Sequence, residues 1–437
     1  MSTLRLVGDY LVPGEGDGSV IANGAIDIDA STGRIVGAGA VEELGEPAGS
    51  VDHVGGALLP GLVNAHAHGP MTLVRSAGDG LPLMQWLTEG VWPREGRLTP
   101  DDVVVGMQLA SCEMLLAGVT TSVEMYMFED QVAHAVETTG GRVQVMAGVL
   151  GAISPTPEAY TARLEAVAAF CTKFSNPDAR VTAGFGPHSV YDLGPERLSE
   201  LAEAAAAVDA MIHVHLEETS GERQQVIDAH GRSATQVLAD AGVLSQPTVA
   251  AHGVWLDVID LGLLAQANAS VVHCPMSNLK LGSGVADIGG WARAGVGRAL
   301  GTDGVASNDN LNMWEDLRLA ALLARGTTHD PGAMSAAQAF SLATKDGAAA
   351  VGLPDAGELR VGAWADIIRI DLDQPSFAPG VDEDLFANLV WAGSAGAVTD
   401  VWVAGNQVVV DGSMTTVDLD QILTAAKHAG QRIAEDL

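Results

Sequence analysis

The chain has 437 residues, of which 55 are acidic and 22 are basic, so its formal net charge is −33. This charge excludes nucleic acids and anionic membranes as expected partners, because phosphate groups are bound by basic patches. Hydrophobic residues make up 47% of the chain, which excludes a disordered acidic tail and is typical of a folded globular protein.

The N-terminal residues contain no basic stretch followed by an apolar run, so we expect no signal peptide. No run of about 18 apolar residues occurs that could form a membrane-spanning helix. Cys112, Cys171 and Cys274 form no CxxC pair, which argues against a disulfide framework or a zinc ribbon and suits a reducing compartment. We therefore expect a cytoplasmic protein.

Both ends of the chain are rich in short strands. Before residue 58, strands are predicted at 4–7, 26–28 and 34–36, separated by turns that contain Gly, Asp and Pro. After residue 354, strands are predicted within 365–370 and 398–410, and a helix is predicted over 418–437. The sequence therefore predicts one small β-sandwich domain built from residues 1–57 and 355–437 together.

The stretch 58–354 alternates short apolar runs with helical patterns. Strands are predicted at 57–65, 119–125, 143–149, 181–186, 211–216, 248–252, 270–273 and 298–302. One helix is well marked, because Thr99 is a good N-cap, Pro100 suits the first helical position and Gly118 follows the last turn. Eight such units predict an α/β fold of the (β/α)8 barrel type. A doubly wound open sheet is the alternative, although no GxGxxG motif follows the first strand.

A barrel places its catalytic groups at the carboxyl ends of its strands, and residues that can bind metals stand at these positions. They are His66, His68, His188, His213, His215, Glu217, Glu218, His252, His273 and Asp303. His66 and His68 point to the same side of a strand because side chains alternate along it, so their imidazoles can share one ion. His215 and Asp303 could supply two more ligands. Three imidazoles and one carboxylate suit Zn²⁺, and Fe²⁺ would also be stable there.

Four sequence segments carry a family resemblance. Residues 60–68 read PGLVNAHAH, 213–219 read HVHLEET, 300–308 read LGTDGVASN and 357–366 read GELRVGAWAD. Together and in this order, they resemble the amidohydrolase superfamily. More narrowly, they resemble its aminohydrolase branch, which includes methylthioadenosine/S-adenosylhomocysteine deaminases and triazine hydrolases. The resemblance runs through the whole barrel and into the C-terminal β-rich segment.

The resemblance implies that His66, His68, His215 and Asp303 hold one divalent metal ion, with Zn²⁺ as the expected metal. Such an ion lowers the pKa of bound water toward neutrality. Some relatives hold two ions bridged by a carboxylated lysine near the end of the fourth barrel strand. Residues 181–190 contain no lysine, so a single ion is expected here.

The resemblance also assigns roles beside the metal. Glu218 is the expected proton shuttle from the water to a ring nitrogen of the substrate, and His252 would orient or polarise the water. Asp303 would also pass a proton to the departing ammonia. His213 and Glu217 are expected to stay outside this chemistry, His213 in a structural role behind the barrel wall and Glu217 as a solvated loop carboxylate.

Three further residues indicate the substrate class. Glu95, within VWPRE at 91–95, matches a family glutamate that binds ribose, because a carboxylate can accept from two vicinal hydroxyls. His188 matches a histidine that contacts the substrate, and Arg163 matches an arginine that would meet the carboxylate of an S-adenosyl amino acid. A second such arginine, expected near Ala147, is absent. This absence favours 5′-methylthioadenosine, adenosine or 5′-deoxyadenosine over S-adenosylhomocysteine.

The expected activity is metal-dependent hydrolytic deamination of an adenine nucleoside at its 6-amino group. The alternative in the same class is an aminohydrolase or chlorohydrolase of another heterocycle, such as an s-triazine, guanine or a pterin, for which Glu95 has no diol to bind. A non-catalytic scaffold that retains the barrel is the alternative from another class, but its metal ligands would be missing. Relatives are often oligomers, so the resemblance leads us to expect a homo-oligomer.

Overall fold

The computed structural model describes residues 3–380 and 385–435. Its strands in chain order are β1 (Thr3–Val7), β2 (Tyr10–Leu11), β3 (Ile21–Ala22), β4 (Gly24–Asp29), β5 (Arg34–Ala40), β6 (Ser50–His53), β7 (Ala57–Pro60), β8 (Leu62–Ala67), β9 (Val119–Tyr126), β10 (Arg142–Val149), β11 (Val181–Pro187), β12 (Ile212–Leu216), β13 (Thr248–His252), β14 (Ser270–His273), β15 (Gly297–Leu300), β16 (Ile367–Ile370), β17 (Val398–Val403), β18 (Asn406–Val410) and β19 (Ser413–Met414). Within the described residues these strands form sheets of four, eight and seven strands.

Strands β8 to β15 form a parallel sheet in which each strand pairs with the next one along the chain. The sheet closes where the backbone N–H of Asp303, just after β15, donates to the carbonyl of His66 in β8 at 3.0 Å. Every residue of β8, β9 and β10 is buried, as expected for strands covered on both faces. The predicted (β/α)8 barrel is confirmed, and the open-sheet alternative is wrong.

Helices connect the barrel strands and surround them. In chain order the α-helices are α1 (Leu83–Gln85), α2 (Trp92–Glu95), α3 (Pro100–Leu116), α4 (Glu129–Thr139), α5 (Pro157–Lys173), α6 (Val190–Ala207), α7 (Ser220–His230), α8 (Ala234–Asp240), α9 (Val258–Gln266), α10 (Pro275–Lys280), α11 (Ile288–Ala294), α12 (Met313–Thr328), α13 (Ala336–Leu342), α14 (Lys345–Ala350), α15 (Leu385–Ala392) and α16 (Leu419–Ala434). Helix α3 begins as predicted, because the Thr99 hydroxyl accepts from the Asp102 N–H and the Asp102 carboxylate accepts in return from the Thr99 N–H. Residues 436 and 437 of the predicted C-terminal helix lie outside the described residues. No helix in the described part of the chain is both long and apolar enough to span a membrane.

The strand predicted at 57–65 is two strands that belong to different sheets. Strand β7 pairs with β16 and β2, whereas β8 begins the barrel. Gly61 separates them at a point where the chain passes so close to Thr120 that a Cβ at position 61 would lie 2.1 Å from the Thr120 Oγ1. Pro60 and Gly61 mark the break in the sequence, because this dipeptide is a typical turn signal. The change of sheet itself is hidden, because both strands are fully buried.

The two other sheets bring both ends of the chain together. The four-stranded sheet has the order β5-β4-β1-β6, and the seven-stranded sheet has the order β19-β18-β17-β16-β7-β2-β3. Side chains from both ends of the chain, among them Leu6, Ile26, Leu58, Ile367 and Trp402, pack into one apolar cluster. The small β structure built from both termini is therefore present. The domain division into residues 58–354 and residues 1–57 with 355–437 stays a prediction.

The segment between β8 and α3 contributes to the carboxyl-end mouth of the barrel. It contains a 3-10 helix at Gly69–Val74, then α1, a π-helix at Trp86–Val91 and α2. Side chains from this segment line a cleft together with residues at the ends of several barrel strands. The cleft therefore opens where a barrel of this type carries its catalytic groups.

Candidate active site

All four predicted metal ligands lie together at the carboxyl ends of barrel strands. His66 belongs to β8 and His68 directly follows that strand, His215 belongs to β12, and Asp303 follows β15. The Asp303 Oδ1 lies 3.5 Å from the His66 Nε2 and 3.2 Å from the His68 Nε2, and the Nε2 atoms of His68 and His215 are 3.3 Å apart. His252 lies beside them, because ring nitrogens of His66, His215 and His252 are within 4.8 Å of one another.

Backbone carbonyls decide which nitrogen of two rings faces this cluster. The His68 Nδ1 lies 2.6 Å from the Met125 carbonyl oxygen, and the His215 Nδ1 lies 2.8 Å from the His188 carbonyl oxygen. A carbonyl oxygen only accepts, so both Nδ1 atoms carry a proton, and both Nε2 atoms point into the cluster. Partners of this kind typically orient histidine ligands to metals.

The donor set fits a divalent cation. The His66 Nε2 is buried without a hydrogen-bond partner. Burial lowers the pKa of His66 to about 4 and that of His215 well below its usual value, so both rings are neutral, as metal ligands must be. Burial also lowers the pKa of His68, but Asp303 raises it, and the result is about 9. The cluster therefore favours a positive charge, which a metal cation would also provide.

Buried groups behind the cluster orient two of its members. Ser277 and Ser307 each donate from Oγ to the Asp303 Oδ2, at 2.6 and 2.8 Å, and neither serine is exposed to solvent. Oδ2 is thus occupied, and Oδ1 faces the histidines. The Nε2 of the fully buried His213 lies 2.9 Å from the His66 Nδ1, and the two rings are stacked. The expectation that His213 lies behind the barrel wall is wrong, because residues 213 and 215 are two apart on β12 and point to the same side of the strand. Its contact with the His66 ring is consistent with a structural role.

Glu218 and His252 face each other beside the cluster. The Glu218 Oε2 lies 3.9 Å from the His252 Nε2, and Ser283 donates to the Glu218 Oε1 at 3.2 Å. The His252 Nδ1 lies 3.0 Å from the Asn278 Oδ1, which holds that ring in place. Burial raises the pKa of Glu218 above its usual value, and His252 lowers it by a smaller amount. A carboxyl group with a raised pKa can take up and release a proton closer to neutral pH, as a general acid–base group must.

A cleft of about 770 Å³, including its solvent-open part, leads to this cluster. Glu95 lies on its wall at the end of α2, where Tyr126 donates a 2.6 Å hydrogen bond to the Glu95 Oε1. Burial raises the pKa of Glu95, whereas the Tyr126 hydroxyl lowers it by a smaller amount. His188 lines the same cleft, with its ring centroid 5.0 Å from that of His215. Glu95 and His188 therefore share one cleft with the metal-ligand residues and Glu218.

Two residues lie in surroundings that differ from those expected. Arg163 is not among the described residues that line the cleft, because its guanidinium pairs with both carboxylate oxygens of Glu129, at 2.7 and 3.1 Å. The expectation of a solvated Glu217 is wrong. Its side chain is fully buried and forms an ion pair with Arg223 at 2.8 Å, which compensates for the loss of water around the carboxylate.

Sequence reasoning missed the hydroxyl groups that support the site. Ser307 lies within the LGTDGVASN segment, four residues after the aspartate ligand, so its position was visible but its contact was not. Ser277 lies in α10 and reaches the aspartate only through the fold. Tyr126 is the last residue of β9, a position from which a barrel presents side chains to its mouth. His273 also ends a strand, but it packs against Trp291 and does not line the cleft.

Comparison with known proteins gives concordant matches along the chain. The profile of the amidohydrolase family matches residues 57–408. A 5-methylthioadenosine/S-adenosylhomocysteine deaminase from Pelotomaculum thermopropionicum is 38% identical over 434 residues, which cover 99% of each chain. A 5′-deoxyadenosine deaminase from Methanothermobacter thermautotrophicus is 37% identical over 384 residues, which cover 88% of this chain and 89% of its own. Among solved structures, an adenosine deaminase from Xanthomonas campestris with bound zinc has a TM-score of 0.92 at 33% identity, over 99% of this chain and 98% of that one.

A (β/α)8 barrel with a histidine and aspartate cluster at the carboxyl ends of its strands defines a metal-dependent hydrolase. The chain belongs to the amidohydrolase family, and it is a hydrolase that acts on carbon–nitrogen bonds. The resemblance carried by the four sequence segments is thereby confirmed.

Proposed function

We propose that this enzyme removes the 6-amino group of an adenine nucleoside by hydrolysis and releases it as ammonia. The observation that carries the proposal is the Glu95 carboxylate, which lies in the same cleft as the metal-ligand cluster and Glu218. A carboxylate that accepts from both hydroxyls of a ribose would hold a nucleoside there, whereas an s-triazine, guanine or a pterin offers no diol. The names of the relatives from P. thermopropionicum and M. thermautotrophicus support the same choice.

The proposal includes one divalent ion, Zn²⁺, held by His66, His68, His215 and Asp303. It is supported by the convergence of their ring nitrogens and carboxylate oxygen, and by the zinc bound in the X. campestris adenosine deaminase. Among the described residues, those that line the cleft include no lysine that could bridge a second ion. When bound, the ion supplies Lewis-acid chemistry, which lowers the pKa of water toward neutrality.

The side chains beside the cluster carry the proton transfers. Glu218 takes a proton from the attacking water onto a carboxylate oxygen and delivers it to a ring nitrogen of the base, which makes the amine-bearing carbon electrophilic. His252, whose Nδ1 is held by Asn278, presents its Nε2 to the water and orients it. Asp303 takes the second proton of that water onto its Oδ1, once the water oxygen is bonded to the ring carbon, because two serine hydroxyls occupy its Oδ2. It passes this proton to the amino group, which leaves as ammonia when the carbon–nitrogen bond breaks.

Other side chains bind the nucleoside. The two ribose hydroxyls donate to Glu95, which the Tyr126 hydroxyl holds in place, and His188 contacts the substrate from its position beside His215. Arg163 has no part in this assignment, because the Glu129 carboxylate already occupies its guanidinium.

Ammonia release from a small panel of compounds tests the proposal. The metal-loaded enzyme receives adenosine, 5′-methylthioadenosine, 5′-deoxyadenosine, guanine and melamine, and the ultraviolet spectrum follows conversion of the adenine ring. We expect turnover of the nucleosides and none of guanine or melamine. The proposal would be overturned if the enzyme converted guanine or melamine but none of the nucleosides, or if it converted no compound in the panel.

The enzyme is further proposed to act in the cytoplasm as a homo-oligomer. The three cysteines are free and buried, which suits a reducing compartment, and the family resemblance supports the oligomer. Light scattering of the purified protein tests the oligomeric state, with a monomer as the contradicting result.

A further inference from the structure

The cleft combines apolar walls with several carboxylates. Leu87, Trp92, Met127 and Leu150 line it, and Glu95 is on the same surface. The described residues that line the cleft include no lysine and no arginine. A negatively charged group that enters the cleft therefore loses water without gaining a basic side chain in return.

Arg163, the arginine expected to meet a substrate carboxylate, is already engaged by other groups. Arg163 donates to both carboxylate oxygens of Glu129, at 2.7 and 3.1 Å, and it donates twice more to the carbonyl oxygen of Gly148, at 3.0 and 2.9 Å. Gly148 itself lines the cleft. Four hydrogen bonds use most of the donor capacity of a guanidinium, so a substrate carboxylate would have to displace Glu129 to reach Arg163.

We propose that this enzyme selects adenine nucleosides by the charge of their 5′ substituent. It accepts a short uncharged group, such as a methylthio group or a methyl group, and it discriminates against a 5′ amino-acid chain that ends in a carboxylate. This inference rests on the proposed function, because it takes the substrate to be an adenine nucleoside. It narrows the substrates to adenine nucleosides with an uncharged 5′ group. The relative from P. thermopropionicum is named for both 5-methylthioadenosine and S-adenosylhomocysteine.

A comparison of three substrates with the wild-type enzyme tests the inference. 5′-Methylthioadenosine has a short neutral group, 5′-butylthioadenosine has a longer neutral chain, and S-adenosylhomocysteine has a chain of similar length that ends in charged groups. We expect kcat/KM for S-adenosylhomocysteine to be at least about 100-fold lower than for 5′-butylthioadenosine, because its carboxylate loses water without a basic partner in the cleft. The butylthio compound separates the effect of charge from the effect of length.

Two variants, each with a matched control, test the cause of the discrimination. Leu150→Arg adds a cation to the cleft wall, and Leu150→Gln is its uncharged control. Glu129→Gln weakens the hold on Arg163. Asp130→Asn is its control, because Asp130 is exposed and forms an ion pair with the exposed Lys173. The quantity compared is the ratio of kcat/KM for S-adenosylhomocysteine to kcat/KM for 5′-butylthioadenosine. We expect Leu150→Arg to raise this ratio by at least about 10-fold and Glu129→Gln to raise it by less. Neither control should change it.

The outcomes separate this inference from the function on which it rests. Similar kcat/KM values for S-adenosylhomocysteine and 5′-butylthioadenosine in the wild-type enzyme overturn the charge selection and leave the deaminase function standing. If kcat/KM is lower by the same factor for both longer compounds than for 5′-methylthioadenosine, the charge selection is also overturned, because the length of the 5′ group then determines the preference. Failure to convert any adenine nucleoside overturns the proposed function itself.

Discussion

Replacement of Glu95 by alanine tests the ribose-binding role quantitatively. Glu95 accepts one hydrogen bond from Tyr126 and, in the proposed complex, two from the ribose hydroxyls. A hydrogen bond to a charged group contributes about 1.5–3 kcal/mol, and about 1.4 kcal/mol corresponds to a tenfold change in a rate or equilibrium constant. Loss of one such bond in Glu95→Ala therefore lowers kcat/KM for adenosine by about 10- to 150-fold, and loss of both lowers it further.

The assay compares adenosine with 2′,3′-dideoxyadenosine in the wild-type enzyme and in Glu95→Ala. The dideoxy compound lacks the 2′ and 3′ hydroxyl groups that Glu95 would bind, so we expect Glu95→Ala to change its kcat/KM little. The four kcat/KM values, two substrates with two enzymes, then isolate the contribution of this contact. Tyr126→Phe is the matched control, because it removes the hydroxyl that holds Glu95 but keeps the carboxylate. We expect it to cause a smaller loss with adenosine. An equal loss with both substrates in Glu95→Ala would refute the ribose role.

Three further variants test the chemistry, the support of the metal site and the stability of the fold. Glu218→Gln is expected to lower kcat by about 10²- to 10⁴-fold, the usual contribution of a general acid–base group. Elemental analysis should show an unchanged metal content, and a smaller loss of kcat would contradict the proton-shuttle role. Ser277→Ala combined with Ser307→Ala frees the carboxylate oxygen that both serines hold and should weaken metal binding by about 10- to 100-fold. Competition with a chelator measures this change, and unaltered affinity argues against the support role. Asp366→Ala removes one partner of the buried ion pair with Arg142, whose contacts are 2.9 and 3.2 Å. It should lower the free energy of unfolding by about 3–5 kcal/mol, as measured by denaturant titration, and an unchanged midpoint would show that this pair contributes little.

The barrel and the grouping of the four candidate metal ligands were predictable, because both follow from strand periodicity and from the common direction of the strands. Alternation along a strand places His66 and His68 on one side, and the common direction of parallel strands brings the residues at their ends to one mouth. His215 and Asp303 could therefore be grouped with them although they lie far away in the sequence. Local capping rules were equally reliable at Thr99, because an N-cap depends only on neighbouring residues.

Features that depend on contacts between distant segments were not predictable from the sequence. Pro60 and Gly61 mark a break in the apolar run, but the approach of Gly61 to Thr120 and the change of sheet there involve segments that lie far apart in the sequence. Glu217 was expected in solvent because carboxylates are seldom buried unless they are paired, and the pairing with Arg223 appears only once α7 is packed. The engagement of Arg163 by a glutamate from another helix is a contact of the same kind.

The central claim is that one divalent ion, held by three histidines and one aspartate, supports hydrolysis of the 6-amino group of an adenine nucleoside. Reloading of the chelated enzyme with counted equivalents of Zn²⁺, while ammonia release from 5′-methylthioadenosine is measured, tests this claim most directly. We predict no activity without metal and a linear rise that ends at one equivalent per chain. Full activity in the metal-free enzyme, or a rise that continues to two equivalents, would contradict the account.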